Sequence, residues 1–377
     1  MSLRLGGMGW VTPLGGGVAA VWERLLAGEE ATSTVIESAL NARSYPAFRV
    51  PAEAIAKAPA HPRLRRSSAI SRFAVVAGLA ALEDAQVELN EAAAERTAII
   101  FAISNGGVVY TKRFYHDIVE SGAQAASPLL FPETVFNAPA SHLAAILGIT
   151  GASYTLVGDG AVGLLALKMA EDLMQNPELD RCLVVGAEEA DWLLCDAFHR
   201  WRLLRSAPSV EVFATRPRGM VLSEGAGAVL LDRTGPTVLE KIEPGSNFSR
   251  QSGAAACVSD VLQRLGATDD DILVASANGT FVDRAEKAAV LRHCPGALIY
   301  TPKVALGEGV GASGIWQVIC GAQALMRQEL PPVPHLATGS EIHVNEHARN
   351  NLGVERVIVS SCGLNQQVAG LSLRLGS

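Results

Sequence analysis

The chain of 377 residues is 49% hydrophobic and 18% charged, with a formal net charge of -7, so it is globular and carries ample apolar material for one or two packed cores. An acidic balance without a sustained basic stripe interleaved with aromatics excludes generalised nucleic-acid binding. No apolar run approaches the roughly 20 residues that span a bilayer, and the start, MSLRLGGMGW, lacks a signal-peptide layout, so a cytoplasmic location away from membranes is expected.

Short β-rich runs alternate with Ala/Leu-rich helical stretches, the pattern of layered α/β structure. Apolar spacing predicts helices over Val18–Leu26 and Ser71–Ala85, then a strand over Thr97–Ile103. A strand over Ser153–Val157, a glycine turn and a helix over Ala161–Met174 follow, with strands at Arg181–Val185 and Ala226–Asp232. Beyond them the sequence predicts strands at Ile272–Ala275 and Arg356–Val359 and helices over Arg284–Leu291 and Ile315–Arg327. Both halves close alike: Val184-Val185-Gly186 precedes Gly225–Asp232, and Val357–Ser361 precedes Val368–Leu375, which hints at a duplication with its boundary near Thr234–Thr237. No low-complexity linker intervenes, so one fused core is expected. The six cysteines, Cys182, Cys195, Cys257, Cys294, Cys320 and Cys362, have no CxxC spacing and no HExxH accompanies them, which suits reduced thiols and gives a metal site no support.

The segment Ser153–Gly163 carries the chemistry. A strand, sharp turn and buried helix place one residue at a helix N-terminus, where backbone N–H groups and the helix dipole lower a thiol's pKa. A catalytic cysteine belongs there, and the sequence has Gly160.

Several motifs together resemble the β-ketoacyl synthases: Gly7-Met-Gly-Trp-Val-Thr-Pro-Leu-Gly15, Trp22–Gly28, Ala81-Leu-Glu-Asp-Ala85, Phe131-Pro with Asn137 and Ser141-His142, Val185-Gly-Ala-Glu188, Gly219–Ala226, and Lys303 followed by Gly307 and Gly311-Ala-Ser-Gly314. The resemblance covers nearly the whole chain. It implies an α/β thiolase-like fold of two duplicated halves, residues 1-235 and 236-377, packed in alternating helix and sheet layers. It also implies a dimer that meets the phosphopantetheine arm of an acyl carrier protein, with no further cofactor.

Condensing members use a cysteine nucleophile and two histidines. Matched through Val185–Glu188 and through the Asn137 segment, the nucleophile position falls on Gly160. The first histidine position, normally His-Gly-Thr, reads Asn278-Gly279-Thr280, with a loop before Asp283 and Glu286 three residues shorter; the second reads Glu308 in the Lys303…Gly307-Glu308 spacing. Relatives that carry Gln for the cysteine keep both histidines and decarboxylate, a subtype this chain does not fit. The glycine-rich gate, normally Gly-Phe-Gly-Gly, reads Gly363-Leu364-Asn365-Gln366 and should move less easily. Asn137, Thr280, Gly363 and Leu364 are the expected acyl and pantetheine contacts.

The resemblance therefore implies a non-condensing homologue, chain-length-factor-like, paired with an active ketosynthase or with itself in fatty-acid or polyketide and polyene assembly. An enzymatic alternative uses Cys362, Lys303, or Asp159 with Glu308 in thioester chemistry, although Asp159 is also placed to cap the helix that follows. A remote alternative is dinucleotide binding, because Gly158-Asp-Gly-Ala-Val-Gly163 is a GxGxxG between strand and helix; the acidic residue expected about 20 positions on is missing. Two arginine clusters, Arg63/Arg65/Arg66/Arg72 and Arg200/Arg202/Arg205, are candidate docking faces for an acidic carrier or plain solvated surface.

Overall fold

The computed structural model describes residues 3–337, 339 and 341–376. Its first half runs β1 (Arg4–Thr12), α1 (Val18–Leu26), α2 (Ala69–Asp84), β2 (Thr97–Ile103), α3 (Val108–Ser121), α4 (Ala138–Leu147), β3 (Ser153–Val157), α5 (Val162–Leu173), β4 (Arg181–Glu188), α6 (Trp192–Arg200) and β5 (Gly225–Asp232). The second half runs β6 (Thr237–Glu243), α7 (Ala254–Leu265), β7 (Ile272–Val274), α8 (Phe281–His293), β8 (Leu298–Tyr300), α9 (Ser313–Arg327), β9 (Arg356–Cys362) and β10 (Val368–Leu375).

These strands form one mixed sheet path in the order β8-β7-β9-β10-β6-β1-β5-β4-β2-β3. Read outward from the central β1/β6 pair, the first half is β1, β5, β4, β2, β3 and the second is β6, β10, β9, β7, β8, the same order by chain rank. The orientations match as well. β5 runs antiparallel to β1 and β4, which is parallel to β2, and β10 runs antiparallel to β6 and β9, which is parallel to β7. The sequence hint of paired closing strands is therefore one part of a complete five-strand repeat.

Helices α5 and α9 lie between the two sets of strands, with α2 and α4 covering one outer face and α7 and α8 the other. α9 is buried on every side from Ser313 to Leu325, as a helix sealed between two sheets must be. Close approach sets two of these contacts. A Cβ on Gly7 or Gly9 of β1 would overlap the Ala81 or Ala77 carbonyl oxygen of α2, and Gly163 of α5 packs on Gly314 of α9, where a Cβ would meet the Gly314 Cα at 3.3 Å.

Several boundaries differ from those the sequence suggests. α2 starts at Ala69 and α8 at Phe281, where the Thr280 hydroxyl accepts from Val282 N–H, and β4 and β9 continue to Glu188 and Cys362 because both are buried to their ends. Strand β1 was not anticipated as such: its three glycines and near-total burial remove the alternation by which a strand is recognised. Among the described residues, no helix is long and apolar enough to cross a membrane.

Candidate active site

The turn between β3 and α5 carries Gly160, and it faces the turn that joins β9 to β10. The Ser361 hydroxyl donates to the Gly160 carbonyl oxygen at 3.0 Å, and a Cβ on Gly160 would lie 3.2 Å from the Gly363 Cα. Gly160 is buried, and a side chain at this position would fit only if the opposite strand gave way slightly.

Asp159 does not cap α5, whose N-cap residue Ala161 receives no side-chain bond. Its carboxylate reaches across and accepts from the N–H groups of Leu364 (3.0 Å), Asn365 (2.7 Å) and Gln366 (3.1 Å). The Gln367 side-chain oxygen returns a contact by accepting from Asp159 N–H at 2.8 Å. A Cβ on Gly363 would collide with the Asp159 carboxylate, so this glycine is kept for clearance. The expected gate is thus clasped to the nucleophile turn by four hydrogen bonds. The same clasp accounts for the GxGxxG. Gly158 and Asp159 N–H groups are spent on Ile103 and Gln367, and Gly163 packs against Gly314, so these three motif positions each have a structural use.

Asn278 and Glu308, the residues expected at the two histidine positions, belong to one buried network. Glu308 Oε2 accepts from Asn278 Nδ2 at 2.7 Å and from Lys303 Nζ at 2.8 Å, while Oε1 accepts from Val310 N–H at 3.0 Å. Asn278 Oδ1 in turn accepts from the Thr280 hydroxyl at 2.6 Å. Lys303 and Glu308 are only 2% and 1% exposed, a buried ion pair in which both Glu308 oxygens find further donors, from Asn278 and Val310, beside the single bond from Lys303. Val310 beside it has φ 36°, in the left-handed region that a β-branched residue avoids, so the network holds this backbone against its preference. The shortened loop is clasped too: Asp283 accepts from Asn278, Gly279 and Phe213 N–H groups, and burial pushes its carboxyl up to about 6 despite those bonds.

Cys362 is 1% exposed, and its thiol is pushed well above the usual range by burial, with the charges of Glu286 and Asp159 acting in the same sense. A thiolate there is unfavourable, which weighs against Cys362 as a replacement nucleophile. Lys303 is committed to Glu308, and Asp159 to the gate, so neither is a free acid or base.

A cleft of about 700 Å³ opens beside this network, lined among others by Asn105, Asp159, Phe198, Trp201, Val310 and Leu364. Gly160, Asn278 and Glu308 are not in its lining, although their neighbours Asp159 and Val310 are. The opening reaches the residue before Gly160 and the second residue after Glu308, and no residue beside Asn278. Of the expected acyl and pantetheine contacts, Leu364 lines the cleft, whereas Gly363 is buried outside its lining and Thr280 serves as a buried helix cap. Asn137 stands exposed at the start of α4, apart from the other three. Sequence reasoning did not single out Ser276, Ser361 or Gln367, which bind Cys362 N–H, the Gly160 carbonyl and Asp159 N–H; ordinary polar residues in a strand or turn give no signal until their partners are placed.

Two family models match the chain: the beta-ketoacyl synthase N-terminal domain over residues 5–236 and the C-terminal domain over residues 243–337. Among curated proteins, the 3-oxoacyl-[acyl-carrier-protein] synthase 2 of Vibrio cholerae is 25% identical over 366 residues, covering 89% of this chain and 88% of that protein. Among solved structures, the ishigamide ketosynthase/chain length factor superposes with a TM-score of 0.86 at 20% identity, covering 100% of this chain and 99% of that one. A structure of a ketosynthase in complex with its chain length factor from Xenorhabdus doucetiae gives 0.80 at 19% identity, covering 100% and 98%.

Proposed function

Since the chain belongs to the β-ketoacyl synthase family, we propose that it is a member that does not condense and that serves as the chain-length-factor-like partner of an active ketosynthase in fatty-acid or polyketide assembly. The observation that carries this reading is the state of the three reactive positions. Gly160 has no nucleophile, and Asn278 and Lys303 both donate to the Glu308 carboxylate, with no imidazole to donate to a developing enolate oxygen. Decarboxylation needs that donor, so its loss removes the partial reaction as well. An ionised Glu308 would repel the enolate rather than stabilise it.

A partner role is supported by the surface. Strand β3 is an edge strand bonded only to β2 among the described residues, leaving a row of backbone groups open to pairing. Tyr154 and Val157 on it are 44% and 48% exposed, and Leu129, Phe131 and Phe136 before α4 are exposed as well. Two structural neighbours are ketosynthase and chain length factor assemblies, which suits an assembly in which the active subunit receives the phosphopantetheine arm of the carrier protein.

The test is to co-express the chain with a candidate ketosynthase from the same source and examine the product by native mass spectrometry, then add acyl carrier substrates. A 1:1 heterodimer acylated only on the partner is expected, and Tyr154→Lys with Val157→Asp should release the subunits. A stable homodimer that takes acyl mass on Cys362, or turns over acyl thioesters alone, sinks the proposal.

A further inference from the structure

On the flank of the α6 region away from the cleft just described lies a second depression of about 600 Å³, lined by Arg43, His199, Arg200, Arg202, Leu204 and Arg218. Residues from 197 to 204 divide the two: Ala197, Phe198, Trp201 and Leu203 face the first cleft, and His199, Arg200, Arg202 and Leu204 face the second. Segment 203–205 is laced to the strand-like segment around Met220, with Met220 N–H donating to the Leu203 carbonyl and Arg205 N–H to the Met220 carbonyl, and this brings Arg202 and Arg218 to one wall. None of these four arginines forms an ion pair among the described residues.

The carboxylates nearby offset the charge of the depression only in part and through space, with no ion pair to its four arginines among the described residues. Asp196, whose charge reaches Arg200, is occupied by Tyr45 OH at 2.6 Å, Ser38 Oγ at 2.9 Å and the Asn41 amide. Glu211 acts on Arg205 through its charge without a hydrogen bond. A separate observation comes from Arg205 itself. It is 8% exposed, lies within electrostatic reach of Arg218, and its Nε and Nη1 are buried with no partner among the described residues. A buried guanidinium with two idle donors is costly unless an anion compensates it. Arg202 adds a backbone at φ 58°, a conformation that the residue holds at some cost.

We propose that the Arg43–Arg200–Arg202–Arg218 depression is a binding site for a phosphate group, the dianionic end of a small molecule or of a prosthetic arm. A compact, multiply charged tetrahedral anion can engage several guanidinium forks at once, which a concave site with one apolar residue in its lining favours over the dispersed carboxylates of a protein surface. The site is separate from the remodelled reactive positions and does not depend on the partner role.

Isothermal titration of the full chain with inorganic pyrophosphate, 4′-phosphopantetheine and pantetheine tests this. The two phosphorylated probes should bind and pantetheine should not, and Arg202→Gln with Arg218→Gln should weaken binding by about tenfold or more. Both arginines are exposed, so the variant should keep its thermal unfolding temperature and its ability to form the partner complex. Tighter binding of phosphopantetheine than of pyrophosphate assigns the site to an arm, and the reverse order assigns it to a free phosphate compound. Failure of both phosphorylated probes to saturate, pantetheine binding as well as its phosphate, equal competition by sulfate at matched ionic strength, or unchanged affinity in the variant each overturns the proposal.

Discussion

Glu308 stands where a histidine is expected, and its effect depends on three neighbours rather than on itself. Lys303, Asn278 and the Val310 N–H all donate to it inside the core. Removing one ion of such a pair strands the other, at a cost of about 3–5 kcal/mol, whereas removing both can be far milder. Lys303→Met alone should therefore lower unfolding stability in urea by about that amount, and Lys303→Met with Glu308→Leu should lose less than the sum of the two singles; strict additivity would show that the pair does not act as a unit. The same network limits repair of the site. Gly160→Cys should fold, because its Cβ meets only Gly363 at 3.2 Å, yet product formation with acyl and malonyl carrier substrates should remain at the level of the unmodified chain. A thiol there has Asn278 and Glu308 in place of the two imidazoles; measurable condensation by this single variant would refute the account of the site. At this scale, the sequence assigns Gly160, Asn278 and Glu308 by their spacing from glycine motifs. The partners were not legible, since Glu308 pairs with a lysine five residues back and Asp159 with backbone groups more than two hundred residues away.

The turn between β9 and β10 shows what one carboxylate does to an element. Three consecutive N–H groups, from Leu364 to Gln366, point at Asp159, so the loop is pinned by an acceptor from the other half of the chain. Asp159→Ala should free those amides, raising their hydrogen-exchange rates by about tenfold or more and costing about 1–3 kcal/mol of stability. Unchanged exchange at 364–366 would mean that the turn holds itself. Loss of mobility was expected from the missing gate glycines, but the clasp supplies a stronger cause. Among the elements, helices with one apolar face, such as α1, and strands rich in β-branched residues, such as β2, were legible to the residue. Strand β1 was not, because a strand that receives a helix directly on its backbone needs glycine, and glycine reads as a turn.

Across the whole molecule, the duplication that the sequence barely hints at is plain in the strand order, because a repeat conserved in topology leaves little trace in residues that each pack against different neighbours. The fold's layered burial also traps acids, in two neighbouring pairs, one from each half of the chain. Burial pushes Glu188 up to about 8, Glu189 and Glu286 up to about 7, and Asp283 to about 6. Between the ordinary carboxylate range and those raised values, the folded chain holds protons that the unfolded chain has released, so stability is greatest at the acidic side of the window and falls as pH rises through it. The chain's net charge of -7 works in the same direction at the alkaline end. The unfolding temperature should therefore be higher at pH 6 than at pH 8.5, provided both are measured at the same ionic strength. Glu188 is the group to isolate: its Oε2 accepts from Ser104 and Asn105 N–H groups at 3.0 and 3.2 Å, and its Oε1 is buried with no partner among the described residues. Glu188→Gln keeps the accepting oxygen and removes the titration, so it should flatten the profile and stabilise the protein most at pH 8.5. A variant that parallels the parent across the whole range would show that Glu188 takes no part, and would leave the pH dependence to Glu189, Glu286 and Asp283.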